Sequence, residues 1–331
     1  MPSPTALLAE QVKQATADGA DLFLTGVTMG GGPDHWAVEA HLRRGLKVYA
    51  TPDAARTFDD DLTRVETMGV RIVDGPNGVA GARRLEMRDF YFSELMDALR
   101  SFHVSTAFDA VAVAVFDHGA APPDISDRRF RFDYLREQVE RGTGLDGFGF
   151  LASEIPARMT RMQAVVRTWT GSEPLFLMDT GPAAILGALE DPRVSELEHA
   201  MVANLGNFHT IAALLDGRRI AGLFEHHTGE LTREKLEGYL DALATGTLSN
   251  QAVFDDMGHG ALELGAVAGP SAPLALTGPR RALLDGSRLR PNLAVPHGDM
   301  MLTGCFGLLR ALAVRLPDLG PAIAGQLGAR P

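Results

Sequence analysis

The residues best suited to chemistry in this chain lie at the ends of predicted strands. The densest group, Glu225, His226 and His227, follows an apolar run and precedes a predicted helix. Glycine-flanked acidic turns repeat this arrangement at Asp117-His118-Gly119 and Asp179-Thr180-Gly181. Because ligands of open α/β sheets bind outside the carboxyl ends of the strands, we expect these side chains to share one cleft. The candidate catalytic residues are Asp117, Asp179, Glu225, His226 and His227.

A second group of residues is suited to binding an anion. The segment Asn204–Asn207 joins two apolar runs as a tight hairpin, whose backbone amides can face a phosphate group. The turn Thr277-Gly278-Pro279-Arg280 precedes a predicted helix, and a helix N-terminus favours negative charge. A plain hairpin without a ligand would explain Gly206 and Asn207, but not His209 and Thr210. The candidate ligand-binding residues are Asn204, Gly206, Asn207, His209, Thr210, Thr277, Gly278 and Arg280.

Two metal chemistries are compatible with these residues. Asp117 and Asp179 are expected to hold hydrated Mg²⁺ beside a phosphorylated substrate, because Mg²⁺ prefers oxygen ligands. Alternatively, imidazoles and carboxylates could bind zinc, manganese or iron. The candidates for that second site are His118, His209, His226, His227 and His297 with Asp117, Glu225 and Asp299. Since adjacent residues of a strand face opposite ways, His226 and His227 cannot bind one ion within a strand.

Composition excludes several classes of protein. The 331 residues have a net charge of −11, which argues against binding to nucleic acid or to an anionic membrane. The longest apolar run, 110–116, is too short to span a membrane. The first twenty residues lack the basic start and apolar core of a signal peptide, so we expect a cytoplasmic protein. The single cysteine, Cys305, cannot hold an iron–sulfur cluster, which needs three or four thiolates.

The elements that must position these residues fall into two predicted domains, 1–150 and 151–331. The predicted helices of the first are 5–18, 53–68, 86–100 and 129–142, and its predicted strands are 21–27, 46–50, 70–73 and 110–116. Asp34 is expected to cap a further helix after Gly30–Pro33. Strands that alternate with helices are typical of a parallel sheet covered on both faces.

The second domain has a different order of elements. It begins with a strand at 175–178 and a helix that ends near 190, followed by a predicted β-meander over 200–224. The elements predicted after the meander are helices at 232–245 and 250–257, strands at 274–276 and 293–295, and a helix at 299–314. Periodicity alone supports a mixed α/β sheet. A meander followed by βα units resembles the ribonuclease-H-like domain, which actin-like ATPases and sugar kinases contain twice.

Seven segments together resemble a family of unknown function whose members are labelled pyruvate formate-lyase activating enzymes. The segments are LTGVTMGGGP (24–33), AARTFDD (54–60), FDHGAAP (116–122), NLGNFHTIA (204–212), FEHHTGEL (224–231), LTGPRR (276–281) and HGDMMLTGCFGLL (297–309). That family is placed in the actin-like ATPase, sugar kinase and hexokinase superfamily. The resemblance implies two ribonuclease-H-like lobes that bind ATP and Mg²⁺. It also implies that 201–215 is the second phosphate loop, with Asn204 where the superfamily usually has aspartate, and that 276–281 is the turn that contacts adenosine. Residues 110–119 and 297–307 would link the lobes.

The function implied by the resemblance is that of a Mg²⁺-dependent phosphotransferase or ATPase acting on a small phosphorylated or nucleotide ligand. One alternative is a metal-dependent hydrolase that uses the histidines. Another is a nucleotide-sensing or scaffold protein without turnover, which Asn204 in place of an acidic residue favours. Radical activation, named in the family label, needs three cysteines in a CxxxCxxC arrangement. We therefore exclude it for a chain with one cysteine.

The first domain begins with helix 5–18 rather than with hairpin-linked strands. Actin-like proteins place their first phosphate loop in such a meander. We therefore expect either that Met1 is not the ancestral start of the protein or that the first lobe has lost its N-terminal meander. Its sheet should then expose an apolar edge, which a homodimer or an irregular segment would cover.

Overall fold

The computed structural model describes residues 3–265 and 272–327. The strands in these ranges are β1 (Leu22–Gly26), β2 (Val48–Ala50), β3 (Val70–Ile72), β4 (Arg83–Met87), β5 (Val111–Ala114), β6 (Gly149–Leu151), β7 (Leu175–Met178), β8 (His199–Leu205), β9 (His209–Asp216), β10 (Arg219–His227), β11 (Gly260–Glu263), β12 (Leu274–Thr277) and β13 (Asn292–Leu293). The helices are α1 (Pro4–Ala17), α2 (Pro33–Arg43), α3 (Pro52–Ala55), α4 (Leu62–Met68), α5 (Phe92–Ser101), α6 (Asp127–Glu140), α7 (Thr160–Arg167), α8 (Thr180–Ala188), α9 (Pro192–Ser195), α10 (Arg233–Thr245), α11 (Asn250–Asp255), α12 (Thr303–Arg315) and α13 (Gly320–Leu327). Met1, on which the prediction about the chain start depends, lies outside the described residues.

These elements form two compact units within a mixed α/β fold, which confirms the predicted class. Unit 1 comprises the residues up to Phe108 together with Gly119–Asp124 and Ile155–Glu173. Unit 2 comprises Asp109–His118, Ile125–Glu154 and the residues from Pro174 onwards. The chain alternates between the units, whereas the sequence suggested a single division near residue 150. The residues of both candidate groups all belong to unit 2.

Unit 1 contains a four-stranded sheet in the order β3-β2-β1-β4, and each pair of neighbouring strands is parallel. The predicted helix over 86–100 is wrong at its start, since Glu86 and Met87 belong to β4 and pair with Thr25 and Gly26 of β1. A sheet partner therefore outweighs the local helical pattern there. The helix predicted over 53–68 is two helices, because α3 ends at Ala55 and Asp61 caps α4.

The two edges of the unit 1 sheet are β3 and β4. Strand β4 contains Arg83, Arg84 and Glu86 between its apolar residues, and Arg71 lies exposed in β3. Charged residues on edge strands oppose pairing with a second sheet. The edge is therefore not the apolar surface that the sequence led us to expect.

Unit 2 contains two sheets. The smaller has the order β5-β7-β6, with β5 parallel and β6 antiparallel to β7. Helix α8 follows β7 and packs closely against α12. A methyl group on Gly187 of α8 would overlap the carbonyl oxygen of Thr303, and one on Gly307 of α12 would overlap that of Ala183. The absence of side chains at these two glycines lets the helix backbones touch.

The larger sheet of unit 2 has the order β11-β10-β9-β8-β12-β13. Strands β8, β9 and β10 are antiparallel neighbours, which confirms the predicted meander, and β12 and β13 run parallel to β8. Strand β11 was not predicted; it pairs antiparallel with β10 at the sheet edge. One face of this sheet packs on α10 through buried Ala212, Leu214 and Phe224 against Leu236 and Leu240.

Among the described residues, no single helix is long and apolar enough to cross a membrane. One pair of helices, Met300–Arg315 and Pro317–Leu327, passes that test of length and composition together, with a bend of 119° between them.

The carboxyl group of Asp34 lies fully buried in the first turn of α2. Helix α2 begins at Pro33 after Gly32, so Asp34 is not the cap that the sequence suggested. Its Oδ1 accepts from the amide of His35 at 2.9 Å, and its Oδ2 has no hydrogen-bond partner in the described part of the chain. Burial raises the pKa of Asp34 to about 7. The folded protein therefore holds a neutral carboxylic acid there below neutral pH.

This acid should make the stability of the protein fall as the pH rises. Between the ordinary value of 3.8 and about 7, the unfolded chain has lost the proton and the folded chain keeps it. Stability is therefore highest below 3.8 and decreases through this window. From about pH 5 to about pH 8 we expect the free energy of unfolding of wild type to fall by roughly 2–3 kcal/mol more than that of Asp34→Asn, measured by denaturant unfolding. Asp74→Asn, which changes an exposed carboxylate of unit 1, serves as the control. Parallel pH profiles for wild type and Asp34→Asn would show that Asp34 titrates normally.

Candidate functional site

One edge of the six-stranded sheet brings several of the predicted residues together. The register pairs Asn204 with Ile211, and Thr277 with Asn204. It also pairs His227 with His209. The carboxyl ends of β8, β10 and β12 therefore lie beside the amino end of β9. Asn204, His209, His227 and Thr277 therefore all lie at this edge.

A buried arginine that the sequence did not single out lies at the centre of this region. Arg131 of α6 is fully buried, and its guanidinium makes two hydrogen bonds to Asp179, one of 3.0 Å from Nη2 to Oδ1 and one from Nη1 to Oδ2. It donates to Glu225 at 3.1 Å from Nε and at 2.9 Å from Nη2. Its Nη1 also donates to the carbonyl oxygen of Asp117 at 3.1 Å. One cation thus connects α6, the start of α8, β10 and the end of β5.

The charges of this group are mutually dependent. Burial opposes a charge on Arg131, but Asp179 and Glu225 keep its pKa well above the ordinary value. Burial raises the pKa of the Glu225 carboxyl, and Arg131 opposes that shift. Asp179 also caps α8, because its Oδ1 accepts from the amide of Gly181 at 3.0 Å. Both oxygens of Asp179 are therefore already in use.

Beside the arginine lies a group of histidines. His118, His209 and His259 each offer a ring nitrogen, and the three nitrogens lie within 4.8 Å of one another. The ring of His227 lies 4.6 Å from that of His259 and 5.1 Å from that of His209, measured between centroids. Phe116 stacks on His209 at 3.9 Å, and the guanidinium carbon of Arg131 lies 4.2 Å from the centre of the Phe116 ring.

Hydrogen bonds to backbone atoms hold the loop that contains His259. Its amide donates to the carbonyl of Glu225 at 2.9 Å. Arg128 of α6 donates to the carbonyl oxygens of Phe254 at 2.9 Å and Gly258 at 2.6 Å, which fixes the loop that precedes His259. Burial lowers the pKa of His259 far below the ordinary histidine range, and its histidine and arginine neighbours add to this shift. Burial also lowers the pKa of His227. These imidazoles are therefore neutral near pH 7.

Two predicted residues lie on the opposite face of the sheet. Thr210 is fully buried, and its hydroxyl forms a hydrogen bond of 3.0 Å with that of Thr228. His226 packs beside Tyr239 at 5.6 Å, and its Nε2 lies 3.5 Å from Oδ2 of Asp256. Successive side chains of a strand point to opposite faces. Thr210 and His226 therefore do not share a site with His209 and His227, and their predicted assignment to that site is corrected.

His297, the most C-terminal of the predicted histidine ligands, lies apart from the other histidines. The ring of His297 lies against Phe306 at 4.7 Å, and its Nε2 is 3.5 Å from Oε2 of Glu190. Asp299 caps the short helical turn at Met300–Leu302. These two residues therefore belong to contacts around α12 rather than to the histidine group.

The hairpin and the turn predicted to bind an anion pack on each other. The amide of Arg280 donates to the carbonyl of Leu205 at 2.9 Å, and the amide of Gly206 donates to that of His209 at 3.0 Å. Gly278 has a φ of 103°, and a methyl group there would overlap the carbonyl oxygen of Leu205. Only glycine fits this approach without strain. Asn207 and Arg280 are exposed at the junction, whereas Thr277 is buried and donates to Thr303 at 3.4 Å.

Sequence reasoning missed Arg131 and His259 for different reasons. Arg131 lies inside the predicted helix 129–142 among other charged residues, and nothing in that pattern marks it as buried. His259 lies between Gly258 and Gly260 just before β11, and so follows the pattern of a polar residue beside glycine. It was missed because β11 itself was not predicted.

Removal of the buried arginine should destabilise the fold far more than removal of an exposed one. Arg131→Met leaves Asp179 and Glu225 buried without their cation, and we expect a loss of about 3–5 kcal/mol in the free energy of unfolding. The control is Arg129→Met in the same helix, where an exposed ion pair with Asp133 spans 4.0 Å and should contribute less than about 1 kcal/mol. Similar losses in the two variants, measured by denaturant unfolding, would contradict this role of Arg131.

The sequence of this chain matches one known family along well over half of its length. No curated protein matches the chain. The family model described as "Putative pyruvate format-lyase activating enzyme (DUF1786)" matches residues 29–283. This range includes the hairpin at 204–209, the buried arginine and all the histidines of the group around His259. The chain therefore belongs to this family of unknown function.

Proposed function

We propose that unit 2 binds a phosphorylated ligand, a nucleotide such as ATP, where the hairpin 204–209 meets the turn 277–280. The observation that supports this most is the order of strands in the larger sheet. A meander β10-β9-β8 followed by parallel β12 and β13 is the order of the ribonuclease-H-like domain found in actin-like ATPases and sugar kinases. In that arrangement the hairpin between the first two strands is the phosphate loop, and here it is the segment between β8 and β9.

The local contacts fit an anion better than a neutral ligand. The hairpin and the turn are joined by the hydrogen bond from the amide of Arg280 to the carbonyl of Leu205, and the side chains of Arg280 and Asn207 are both exposed. Arginine forms charge-assisted hydrogen bonds with phosphate oxygens. Arg281 is exposed next to it, and its Nη1 donates to the carbonyl of Gly278 at 3.1 Å, which stiffens the turn.

Mg²⁺ fits this site only as an ion that is bound to the phosphorylated ligand. Asp179 was expected to hold Mg²⁺, but its two oxygens accept from Arg131 and Gly181, and a guanidinium lies where a cation would have to bind. Asp117 is buried, with 2% of its surface exposed. A Mg²⁺ ion that entered with ATP would be bound through phosphate oxygens and water, as is usual for this ion. We therefore assign Asp179 a structural role.

The class of activity we propose is phosphoryl transfer or ATP hydrolysis. Such reactions depend on positioning and on neutralising phosphate charge rather than on a covalent intermediate. Asn204 cannot act as an acid or base, which supports a nucleotide sensor as the alternative; release of phosphate distinguishes the two. The single cysteine argues against the radical chemistry in the family description.

The proposal predicts that Arg280 matters for binding and that an arginine elsewhere on the same sheet does not. Arg280→Ala should weaken ATP binding about tenfold, or roughly 1.4 kcal/mol, measured by calorimetric titration with Mg²⁺ present. Arg218→Ala, an exposed arginine in the hairpin at the opposite end of β9, should bind like wild type. Thermal shifts with ATP, ADP and inorganic phosphate would show which part of the ligand binds.

Two results would overturn this proposal. The first is that wild type shows no thermal shift with any of these ligands at millimolar concentration. The second is that Arg280→Ala and Arg218→Ala have equal affinities for a ligand that does bind.

A further inference from the structure

We propose that His118, His209 and His259 form a binding site for one divalent transition-metal ion, with Zn²⁺ as the ion that fits best. This metal site does not depend on phosphate binding. Its ligands are ring nitrogens on the face of the sheet where His209 and Glu225 lie.

The spacing of the three rings suits one ion. Their nitrogens lie within 4.8 Å of one another. Because zinc binds imidazole nitrogen at about 2.0–2.1 Å, two nitrogens on one tetrahedral ion are about 3.4 Å apart. Rotations of the side chains that bring the nitrogens closer together by up to about 1.4 Å would give the three that spacing. Each histidine comes from a different segment, since His118 follows β5, His209 starts β9 and His259 precedes β11.

The burial of His259 is the independent observation that points to a ligand. Only 2% of its surface is exposed, and neither ring nitrogen has a hydrogen-bond partner in the described part of the chain. A buried polar group without a partner destabilises a protein by about 1–3 kcal/mol. A metal ion bound to one nitrogen would remove the part of that penalty that belongs to this nitrogen.

The surroundings of His259 resemble the outer shell of a metal site. The Nδ1 atom lies 4.0 Å from Oε2 of Glu225, beyond hydrogen-bond distance, and a small rotation of the ring would direct Nδ1 to this carboxylate and Nε2 to a cation. Histidine ligands usually direct their second nitrogen to a carboxylate, which orients the ring and strengthens it as a ligand. Glu225 is itself fixed by two hydrogen bonds from Arg131.

The donor atoms select the class of metal. Imidazole nitrogen suits zinc and its first-row neighbours, whereas Mg²⁺ and Ca²⁺ prefer oxygen. Three imidazoles leave a fourth position of a tetrahedral ion open to water or a substrate oxygen, as in catalytic zinc sites. The ring of His227 lies beside these ligands, with its centroid 4.6 Å from that of His259.

The test uses the whole chain without a histidine tag. A chelator first removes any bound metal, and the chelator is then removed. Calorimetric titration with Zn²⁺ in the absence of nucleotide should show one equivalent bound by wild type. Co²⁺ as a substitute should give the visible absorption of a tetrahedral site. His259→Ala and His209→Ala should each weaken Zn²⁺ binding by more than the roughly 10–100-fold that outer-shell changes cause.

The matched control is His199→Ala, which removes the histidine at the opposite end of β8 and should leave Zn²⁺ affinity unchanged. If His259→Ala fails to fold, His118→Ala in the loop after β5 tests the same site, with circular dichroism to check folding. Failure of wild type to bind one equivalent would overturn the proposal. So would variants of the three histidines that bind Zn²⁺ as tightly as wild type. Neither result bears on ATP binding, which is measured without added Zn²⁺.

Discussion

The interaction on which unit 2 depends is the pair of buried ion pairs between Arg131 and the carboxylates of Asp179 and Glu225. A guanidinium with no access to water must find anions and acceptors within the protein. Arg131 finds them on three elements, at the start of α8, in β10 and just after β5. The ends of these elements are therefore fixed with respect to one another, and the side chains that follow them are fixed as well.

Two chemically different groups meet at the sheet edge that this arginine helps to hold. One is the hairpin and turn around Asn207 and Arg280, where exposed donors suit an anion. The other is the group of imidazoles around His259. His209 belongs to both, because its carbonyl accepts from Gly206 in the hairpin and its ring lies among the histidines. A phosphorylated ligand and a metal ion at these places would be neighbours along β9.

Much of this architecture could be predicted from sequence because it depends on local signals. Apolar runs bounded by Gly-Asn and Asp-Gly predicted the meander with bounds close to those of β8, β9 and β10. The strand β4 was mistaken for the start of a helix because the strand it pairs with, β1, lies about sixty residues earlier in the chain. Strand β11 was missed for the same reason, since its pairing with β10 gives it its structure.

Less of the candidate site could be predicted, because burial and facing depend on the tertiary fold. The sequence placed Glu225, His209 and His227 at one edge, and the alternation of a strand correctly separates His226 from His227. Whether Thr210 faces the site was not predictable, since it depends on which face packs on α10. Arg131 carries no local sign that it is buried, and its pairing with Asp179 changed the expected role of that carboxylate from magnesium ligand to arginine partner.

The zinc site and the buried arginine are tested most directly by an anomalous difference map from crystals of the chain grown with Zn²⁺, recorded at the zinc absorption edge. We expect one peak within about 2.1 Å of nitrogens from His118, His209 and His259. We also expect Arg131 to remain bonded to Asp179 and Glu225 in the same crystal. A well-occupied peak elsewhere with none among these rings, or an Arg131 side chain turned away from both carboxylates, would contradict these expectations.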